Sequence, residues 1–393
     1  MTDIAIDREL TAVTMGLDRF ERAAKGRESL LDGEGLVPIW MGEDLVPPRA
    51  YANWDAIFAD LAALSDRVAT LPRDARGVFL NTMVGSVTTA ARLFSGEAMT
   101  YADKVRDLVG AEAAAVPDAD IAALAIKLDA ALTRIGFTTG TLKERVEAWE
   151  DARAIDPDKL EAVFRELMAA AKARTNAMIY DTGDYDMALN PLRNIPFTAR
   201  CGFDDRRMDL NVDLRFTRAA LKHLVCHEVF PGHATHLLYT HAEAEAGRSG
   251  LDALLCTANA VTGCVQEGIG DQGVELIDWI EDDDDAIHSM LRALKSAVQT
   301  TAVWRLMAEG VPEAEVADYM RTVGCGQEAW VQGRIRMARH PFRGPFIASY
   351  FTGNESVRRV RERVSATGRA AFNHYLYGQA HSPESLEMFG AVV

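Results

Sequence analysis

The sequence feature that most constrains the fold is a pair of histidines, His227 and His233, with Pro231-Gly232 between them. On a straight helix turning roughly 100° per residue, side chains six positions apart point about 120° away from each other. Pro231 also lacks the N–H that would bond to the carbonyl four residues earlier, and Gly232 tolerates unusual backbone dihedrals. We therefore predict a local bulge that returns His233 to the side of His227. The alternative is a helix that ends at Phe230 and leaves both histidines on the surface.

Glu228 directly follows the first of these histidines. Neutral imidazoles with an adjacent carboxylate are the components of a zinc site that activates water, as in the helical HExxH motif. We expect His227 and His233 to bind one divalent metal ion, which would be Zn²⁺ in a hydrolase, although other metals would fit. Glu228 is then the candidate general base, which takes a proton from water and later delivers it to a leaving amine.

The segment His-Glu-x-x-Pro-Gly-His resembles the signature of a bacterial family catalogued as domain of unknown function 885, whose members are regarded as zinc metallopeptidases distantly similar to gluzincins. Further segments similar to family elements extend the resemblance over roughly residues 95 to 390: Glu267–Asp271, Met208–Asp213 and Ala348–Gly353. The resemblance implies a metallopeptidase-like fold, with Glu267 as the third metal ligand. The chain departs from the family at Ala234, where a second His is usual, and at His236, where Gln or Glu is common.

Two more residues are candidates for the site, and each has an ordinary alternative. Asp271 follows Glu267 by four positions on the same helical face. It would accept a hydrogen bond from a ligand imidazole, or simply face solvent. Tyr350 would hydrogen-bond a developing oxyanion, or pack by its ring.

Other residues are candidates for substrate contacts. Arg339 and Arg343 belong to an arginine cluster before Pro345, which would hold a substrate carboxylate or form a solvated face. His236 would line the cleft, because it replaces a family residue close to the presumed ligands. These departures bear on the substrate more than on the metal.

Together these residues predict a metal-dependent hydrolase of peptide or other amide bonds, acting on a small peptide or amide. Two alternatives stay open. Two histidines and one carboxylate also form the facial triad of non-heme iron oxygenases, although an oxygenase does not need a Glu beside its first ligand. A protein that keeps the scaffold as a binding module without catalysis is the other alternative.

The composition restricts the partners and the cell compartment. A net charge of −16 disfavours nucleic acid and anionic membrane surfaces, because both demand basic patches. The N-terminus has no apolar region typical of a signal peptide, and no apolar run approaches the roughly 18 residues of a membrane span. The five cysteines are odd in number and form no CxxC pair, which favours reduced thiols. We predict a cytoplasmic protein and leave its oligomeric state open.

Apolar residues recur every three to four positions along most of the chain, which predicts a mainly α fold. The exception is residues 208–215, where apolar and polar side chains alternate. This pattern predicts a strand, paired with residues near 197–201 in a small antiparallel sheet beside the metal-binding helix. As an edge strand it would pair with a peptide and carry Asn211 and Asp213 on its polar face, or else only buttress the helix. The predicted lobes are residues 1–178 and a catalytic lobe at 179–393, unless they form one continuous domain.

The helix expected around Glu267 is rich in glycine. Each glycine lowers helix propensity by roughly 1 kcal/mol, so several in one helix need a packing or functional reason. We predict that they allow close approach to the histidine-bearing helix: Gly263, Gly268, Gly270 and Gly273.

Overall fold

The computed structural model describes residues 3–24, 28–31, 35–42, 45–195 and 199–390. The fold is mainly helical, as the periodicity predicts. The helices, in chain order, are α1 (Asp3–Arg22), α2 (Trp54–Val68), α3 (Ala75–Phe94), α4 (Tyr101–Asp103, continued by a π-helix, Lys104–Val109), α5 (Asp118–Arg134), α6 (Leu142–Ala152), α7 (Leu160–Met178), α8 (Arg218–Glu228), α9 (His233–Glu245), α10 (Val261–Asp271), α11 (Gly273–Leu276), α12 (Asp283–Met307), α13 (Glu313–Thr322), α14 (Glu328–Ala338), α15 (Ile347–Arg363), α16 (Arg369–Gly378) and α17 (Pro383–Glu387).

The strands within the described residues are short and form two small sheets: β1 (Ile39–Trp40), β2 (Ala188–Leu192), β3 (Ala199–Gly202), β4 (Arg207–Asn211) and β5 (Leu255–Cys256). β1 pairs with β5, and the other three strands have the order β2-β4-β3. The predicted strand is therefore β4, and its antiparallel partner is β3, with Arg200 opposite Asp209. Part of the predicted partner segment, Phe197 included, lies outside the described residues.

The predicted edge position of this strand is wrong. β4 is the central strand, because β2 pairs with it in parallel on the side opposite β3. Its backbone N–H and C=O groups are already bonded to two neighbours, so it cannot also pair with a substrate peptide. The predicted strand also ends early, at Asn211, where the chain turns toward α8.

Contacts divide the chain into two compact units, each built from separate stretches. Unit 1 comprises Met1–Ala114, His236–Gly268 and Met337–Val393, and unit 2 comprises Ala115–Thr235 and Ile269–Arg336. The predicted division after residue 178 falls inside unit 2 and stays a prediction.

Unit 1 has a core of aliphatic and aromatic side chains from α1, α2 and α3. Leu10, Leu61 and Phe94 are completely buried there, and Phe342 packs edge-on against Phe94 at 5.0 Å between ring centroids. α3 is also tied to the short turn after α9, because Arg76 forms two hydrogen bonds with the buried carboxylate of Asp252, at 2.6 and 2.8 Å. Charge-assisted bidentate pairs of this kind fix geometry as well as adding stability.

Unit 2 is organised around α8, which packs against α7, α11 and α12. The side chain of Thr217 caps the start of α8 by accepting a hydrogen bond from the Ala220 N–H. Lys222, only 2% exposed, reaches from α8 to Asp285 on α12 at 2.5 Å and to Glu281 at 2.8 Å. Its ammonium also lies 4.5 Å from the ring centroid of Trp279. A buried cation held this way fixes α8 against the start of α12.

The acidic run at residues 281–285 leads into α12. Asp282 is the N-cap of α12, and its carboxylate accepts a hydrogen bond from the Asp285 N–H. Negative charge is favourable there because the first backbone N–H groups of a helix point toward it. Within the described residues, no helix is both long enough and apolar enough to cross a membrane.

Candidate metal centre

The chain between the two histidines breaks the helix completely. α8 ends at Glu228 and α9 begins at His233, so the predicted bulge within one helix is wrong. Pro231 cannot donate the hydrogen bond that would continue α8. A Cβ on Gly232 would lie 1.7 Å from the carbonyl oxygen of His227, so only glycine fits this turn. The backbone N–H and hydroxyl of Thr235 bond to the Val229 carbonyl, at 3.1 and 2.9 Å, and hold the turn closed.

This turn brings the two imidazoles together. The Nε2 atoms of His227 and His233 lie 3.2 Å apart, with the ring planes at 89° to each other. His227 is 8% exposed and His233 is half-buried. A helix that simply ended would leave both histidines on the surface. Here the rings are buried or half-buried, and their Nε2 atoms face each other.

The other ring nitrogen of His227 faces the end of α10. Its Nδ1 lies 3.2 Å from Oδ1 of Asp271, whose side chain is 1% exposed. A ligating histidine commonly donates its second N–H to a carboxylate, which fixes its orientation. The supporting role of Asp271 stays a prediction, and this 3.2 Å distance is what supports it.

Two glycines allow α8 and the end of α10 to meet. A Cβ on Gly270 would lie 2.7 Å from Nδ1 of His227, and a Cβ on Gly273 would lie 2.6 Å from the carbonyl oxygen of Cys226. The prediction of close approach is confirmed for these two. The others serve contacts within unit 1, where a Cβ on Gly263 would meet Phe346 and one on Gly268 would meet Gly353.

The Asp271 carboxylate is shared by several groups of unit 2. Arg292 on α12 donates a hydrogen bond to Oδ1 at 2.9 Å, and Nε2 of His223 lies 3.5 Å from the same oxygen. Burial alone would raise the pKa of Asp271, but the Arg292 guanidinium and hydrogen bonds from His223 and His227 hold that pKa well below its usual range. Asp271 is therefore a buried carboxylate with compensated charge.

Two further histidines line this side of α8. Burial lowers the pKa of His223 to about 4, which makes its ring neutral near pH 7. The ring of His288 lies 5.3 Å from that of His223, and burial, followed by the charge of His223, lowers its pKa well below the usual value. Neutral imidazoles are the form in which histidine binds metals or accepts hydrogen bonds.

Glu228 is directed toward the three-stranded sheet. Burial, and then the charge of Glu228, raise the pKa of the Cys201 thiol on β3 well above its ordinary value, so the thiol keeps its proton. The sheet thus lies next to the histidine-bearing helix, as predicted, with Cys201 close to the carboxylate that follows His227.

Unit 2 contains an alternative metal-binding combination. His223, His227 and Asp271 each offer a ligand atom within 4.8 Å of the other two. Arg292, however, already donates to the Asp271 oxygen concerned. A cation bound to that oxygen would face a guanidinium, so Asp271 is better suited to orient His227 than to bind a metal ion itself.

The remaining predicted site residues near α9 and α10 belong to unit 1. Glu267 is half-buried on α10, one helical turn before Asp271. His236, 7% exposed, packs against the ring of Tyr377 at 6.1 Å between centroids. The half-buried ring of Tyr350 on α15 packs edge-on against Phe346. The roles predicted for these three stay predictions.

The predicted substrate contacts belong to different units. In unit 1, Arg343 donates a hydrogen bond to the carbonyl of Gly35 at 3.1 Å, and Arg339 is exposed.

In unit 2, Asn211 and Asp213 organise the loop beside β4 instead of a free strand face. Asn211 donates to the Ile195 carbonyl at 3.0 Å and accepts from the Asp213 N–H. Asp213 accepts from the Asn194 N–H at 2.7 Å and from Arg193 at 2.8 Å. A substrate role for them stays a prediction.

Comparisons with known proteins establish the fold alone. No family model matches the chain, and neither does any curated protein. Its fold is similar to the solved structure of the putative lipoprotein from Colwellia psychrerythraea, with a TM-score of 0.59 and 16% identity over 86% of this chain and 63% of that chain. It is also similar to a putative lipoprotein of unknown function from Shewanella oneidensis, with a TM-score of 0.56 and 14% identity over 86% of this chain and 71% of that chain. The chain thus spans less than two thirds of the first of these proteins.

Two expectations are corrected by these comparisons. Assignment to the domain of unknown function 885 family is wrong, because no family model matches and the solved structures of similar fold are described as lipoproteins. The expected cytoplasmic location is also wrong, because the solved structures of similar fold are described as lipoproteins. The expectation of a metallopeptidase-like fold rested on the resemblance to that family. The observed fold is mainly helical with small sheets.

Some residues of the centre are not predicted from the sequence. His223 precedes His227 by four positions, so the helical period would have placed it on the same face. Arg292 and His288 lie on α12, four positions apart and far along the chain, and only the packing of α12 brings them here. Cys201 carries no sequence signal that links it to Glu228.

Proposed function

We propose that this protein binds one divalent metal ion, zinc, through His227 and His233 and hydrolyses peptide or other amide bonds. The observation that carries the proposal is the 3.2 Å separation of the two Nε2 atoms, with Nδ1 of His227 held by Asp271. Two bare imidazole nitrogens would repel each other at this distance unless a proton or a cation lies between them.

The geometry fits zinc. Zinc binds imidazole nitrogen at 2.0–2.1 Å with tetrahedral angles, which separates two nitrogen ligands by about 3.3 Å. The separation here is 3.2 Å. The third ligand we propose is Glu267, and water would complete an open site, as in zinc hydrolases.

Bound zinc would lower the pKa of water and polarise the carbonyl of a substrate. Asp271, whose Oδ1 lies 3.2 Å from Nδ1 of His227, would orient this ring by accepting its N–H. Glu228 takes a proton from water and passes it to the leaving amine. The Cys201 thiol, which keeps its proton close to Glu228, would hold that carboxylate in place until it acts. Tyr350 remains the candidate for binding the oxyanion.

An iron oxygenase is the second candidate, since two histidines and a carboxylate also suit iron. The position of Glu228, directly after a ligand, favours hydrolysis because an oxygenase has no use for a base there. A binding protein without catalysis would keep the metal and lack turnover. Metal analysis of the purified protein separates zinc from iron, and assays against a small peptide library, before and after chelation, separate enzyme from binder.

The decisive variant is Glu228→Gln, which keeps the shape and removes the proton acceptor. It should fold and bind metal as the wild type does, while turnover falls by roughly 10²- to 10⁴-fold. Glu166→Gln is the matched control, because Glu166 is an exposed carboxylate of α7 that only pairs with Arg218. Loss of metal in Glu228→Gln would make Glu228 a ligand, and unchanged turnover would rule out the hydrolytic mechanism.

A further inference from the structure

One carboxylate oxygen joins α8, α10 and α12. Oδ1 of Asp271 lies 2.9 Å from Nη2 of Arg292, 3.2 Å from Nδ1 of His227 and 3.5 Å from Nε2 of His223. The Asp271 side chain is 1% exposed, whereas that of Arg292 is 29% exposed. The guanidinium therefore lies between a buried carboxylate and solvent.

A carboxylate this deeply buried needs compensation. Removing an ionised group from water costs several kcal/mol unless a charge or hydrogen bonds replace the lost hydration. Each of the two histidines turns one ring nitrogen toward the carboxylate, so each can supply at most one N–H. Among the described contacts of Asp271, Arg292 is the one group with a permanent charge.

The 3.2 Å approach of Asp271 Oδ1 to Nδ1 bears on which nitrogen of His227 carries the proton. An imidazole beside a carboxylate oxygen donates from the nitrogen that faces it, which here is Nδ1. Nε2 is then left without a proton and directs its lone pair toward His233. The opposite tautomer would turn a donor toward His233 and would not bind a metal ion.

We infer that Arg292 is a positioning residue for the metal centre: through Asp271 it fixes the tautomer and orientation of His227. The inference rests on the proposed metal site and adds to it a residue that touches neither the metal nor the substrate. Gly270 supports the arrangement, because a side chain there would collide with the His227 ring.

The test compares Arg292→Met with Arg305→Met. Both arginines lie on α12, with side chains 29% and 31% exposed, and both pair with an aspartate, but the partner of Arg305 is Asp118. Two properties are measured: the zinc affinity, by competition with a chelator, and the His227 tautomer, from imidazole ¹⁵N chemical shifts of the metal-free protein. Arg292→Lys and the double variant Asp271→Ala/Arg292→Met complete the set. If Arg292→Met does not fold, Arg292→Gln takes its place.

We expect Arg292→Met to weaken zinc binding by roughly 10- to 100-fold, as loss of a ligand's supporting partner does. His227 should lose its single Nδ1–H form, Arg292→Lys should lie closer to the wild type, and Arg305→Met should match the wild type. The double variant should bind zinc no more weakly than Asp271→Ala alone, because Arg292 acts through Asp271.

Equal behaviour of Arg292→Met and Arg305→Met in both measurements would overturn the inference. So would a further loss in the double variant. Failure of the wild type to bind any zinc would overturn the proposed function instead, and the tautomer in the metal-free protein would still decide the role of Arg292.

Discussion

The Nε2 atoms of His227 and His233 lie 3.2 Å apart, although six positions separate the residues and a straight helix would direct them about 120° apart. A complete break in the helix, closed by Gly232 and by the bonds from Thr235 to Val229, makes this possible. The centre therefore depends on a turn as much as on its ligands.

Gly232→Ala should abolish this turn. The new Cβ would collide with the His227 carbonyl, since the two atoms would lie 1.7 Å apart. We expect a loss of roughly 2 to 4 kcal/mol in the free energy of unfolding, measured with urea, and loss of bound metal. Gly333→Ala on α14 is the control, because a Cβ there meets nothing within 4 Å and the helix should gain up to about 1 kcal/mol. Equal stability of the two variants would show that the turn is not confined to glycine.

Lys222→Met should destabilise the protein strongly. It leaves the carboxylate of Asp285, 6% exposed, without its cation in a buried site. Breaking one partner of a buried pair costs roughly 3–5 kcal/mol, whereas an exposed pair contributes about 0–1 kcal/mol. Lys159→Met, which removes an exposed pair with Asp156, serves as the comparison in denaturant unfolding. A loss no larger than in Lys159→Met would mean that the buried pair does not fix α8.

Glu267→Ala should lose far more metal affinity than Asp271→Ala. The proposed ligand supplies a bond to the metal, whereas Asp271 only orients His227 and should tune affinity by roughly 10- to 100-fold. Titration of each variant with zinc, in competition with a chelator, measures the difference. If Asp271→Ala empties the site while Glu267→Ala stays loaded, the two roles must be exchanged.

His381 should make stability fall in mild acid. Its ring is 3% exposed and bonded to the Tyr375 carbonyl, and burial lowers its pKa to about 4 in the folded state, against about 6.5 when unfolded. The unfolded chain therefore binds the proton first, so stability is complete above pH 6.5 and declines toward pH 4, by on the order of 3 kcal/mol.

Unfolding of His381→Gln, followed from pH 7 to 4, checks this expectation. The free energy of unfolding of this variant should decline less steeply with falling pH than that of the wild type, because glutamine does not bind a proton in this pH range. An unchanged slope in His381→Gln would assign the acid sensitivity to other groups.

Periodicity accounts for most of what the sequence predicts correctly. The helices follow from apolar stripes such as Leu61, Leu64 and Val68, and β4 follows from strict alternation. β2 is missed because Asn190 and Pro191 weaken any strand pattern, and this is the strand that makes β4 central.

The metal centre is only partly predictable, for a physical reason. The spacing of His227 and His233, and that of Asp271 after Glu267, can be read along the chain. The contact of Arg292 with Asp271, and that of Cys201 with Glu228, depend on how separate elements pack. Neither a helical period nor a motif encodes such contacts, so they required the fold. The Pro231-Gly232 pair predicts a disturbance of the helix but not its complete end.

Metal content tests the central claim most directly. The wild type, His233→Ala and His241→Ala are purified after exposure to zinc and analysed by mass spectrometry. His241 is the matched control, a partly exposed histidine on the same helix, α9, paired with Glu245. We predict about one zinc per chain in the wild type and in His241→Ala, and its loss in His233→Ala. A wild type without metal, or a His233→Ala variant that still binds about one zinc per chain, would contradict the proposed metal centre.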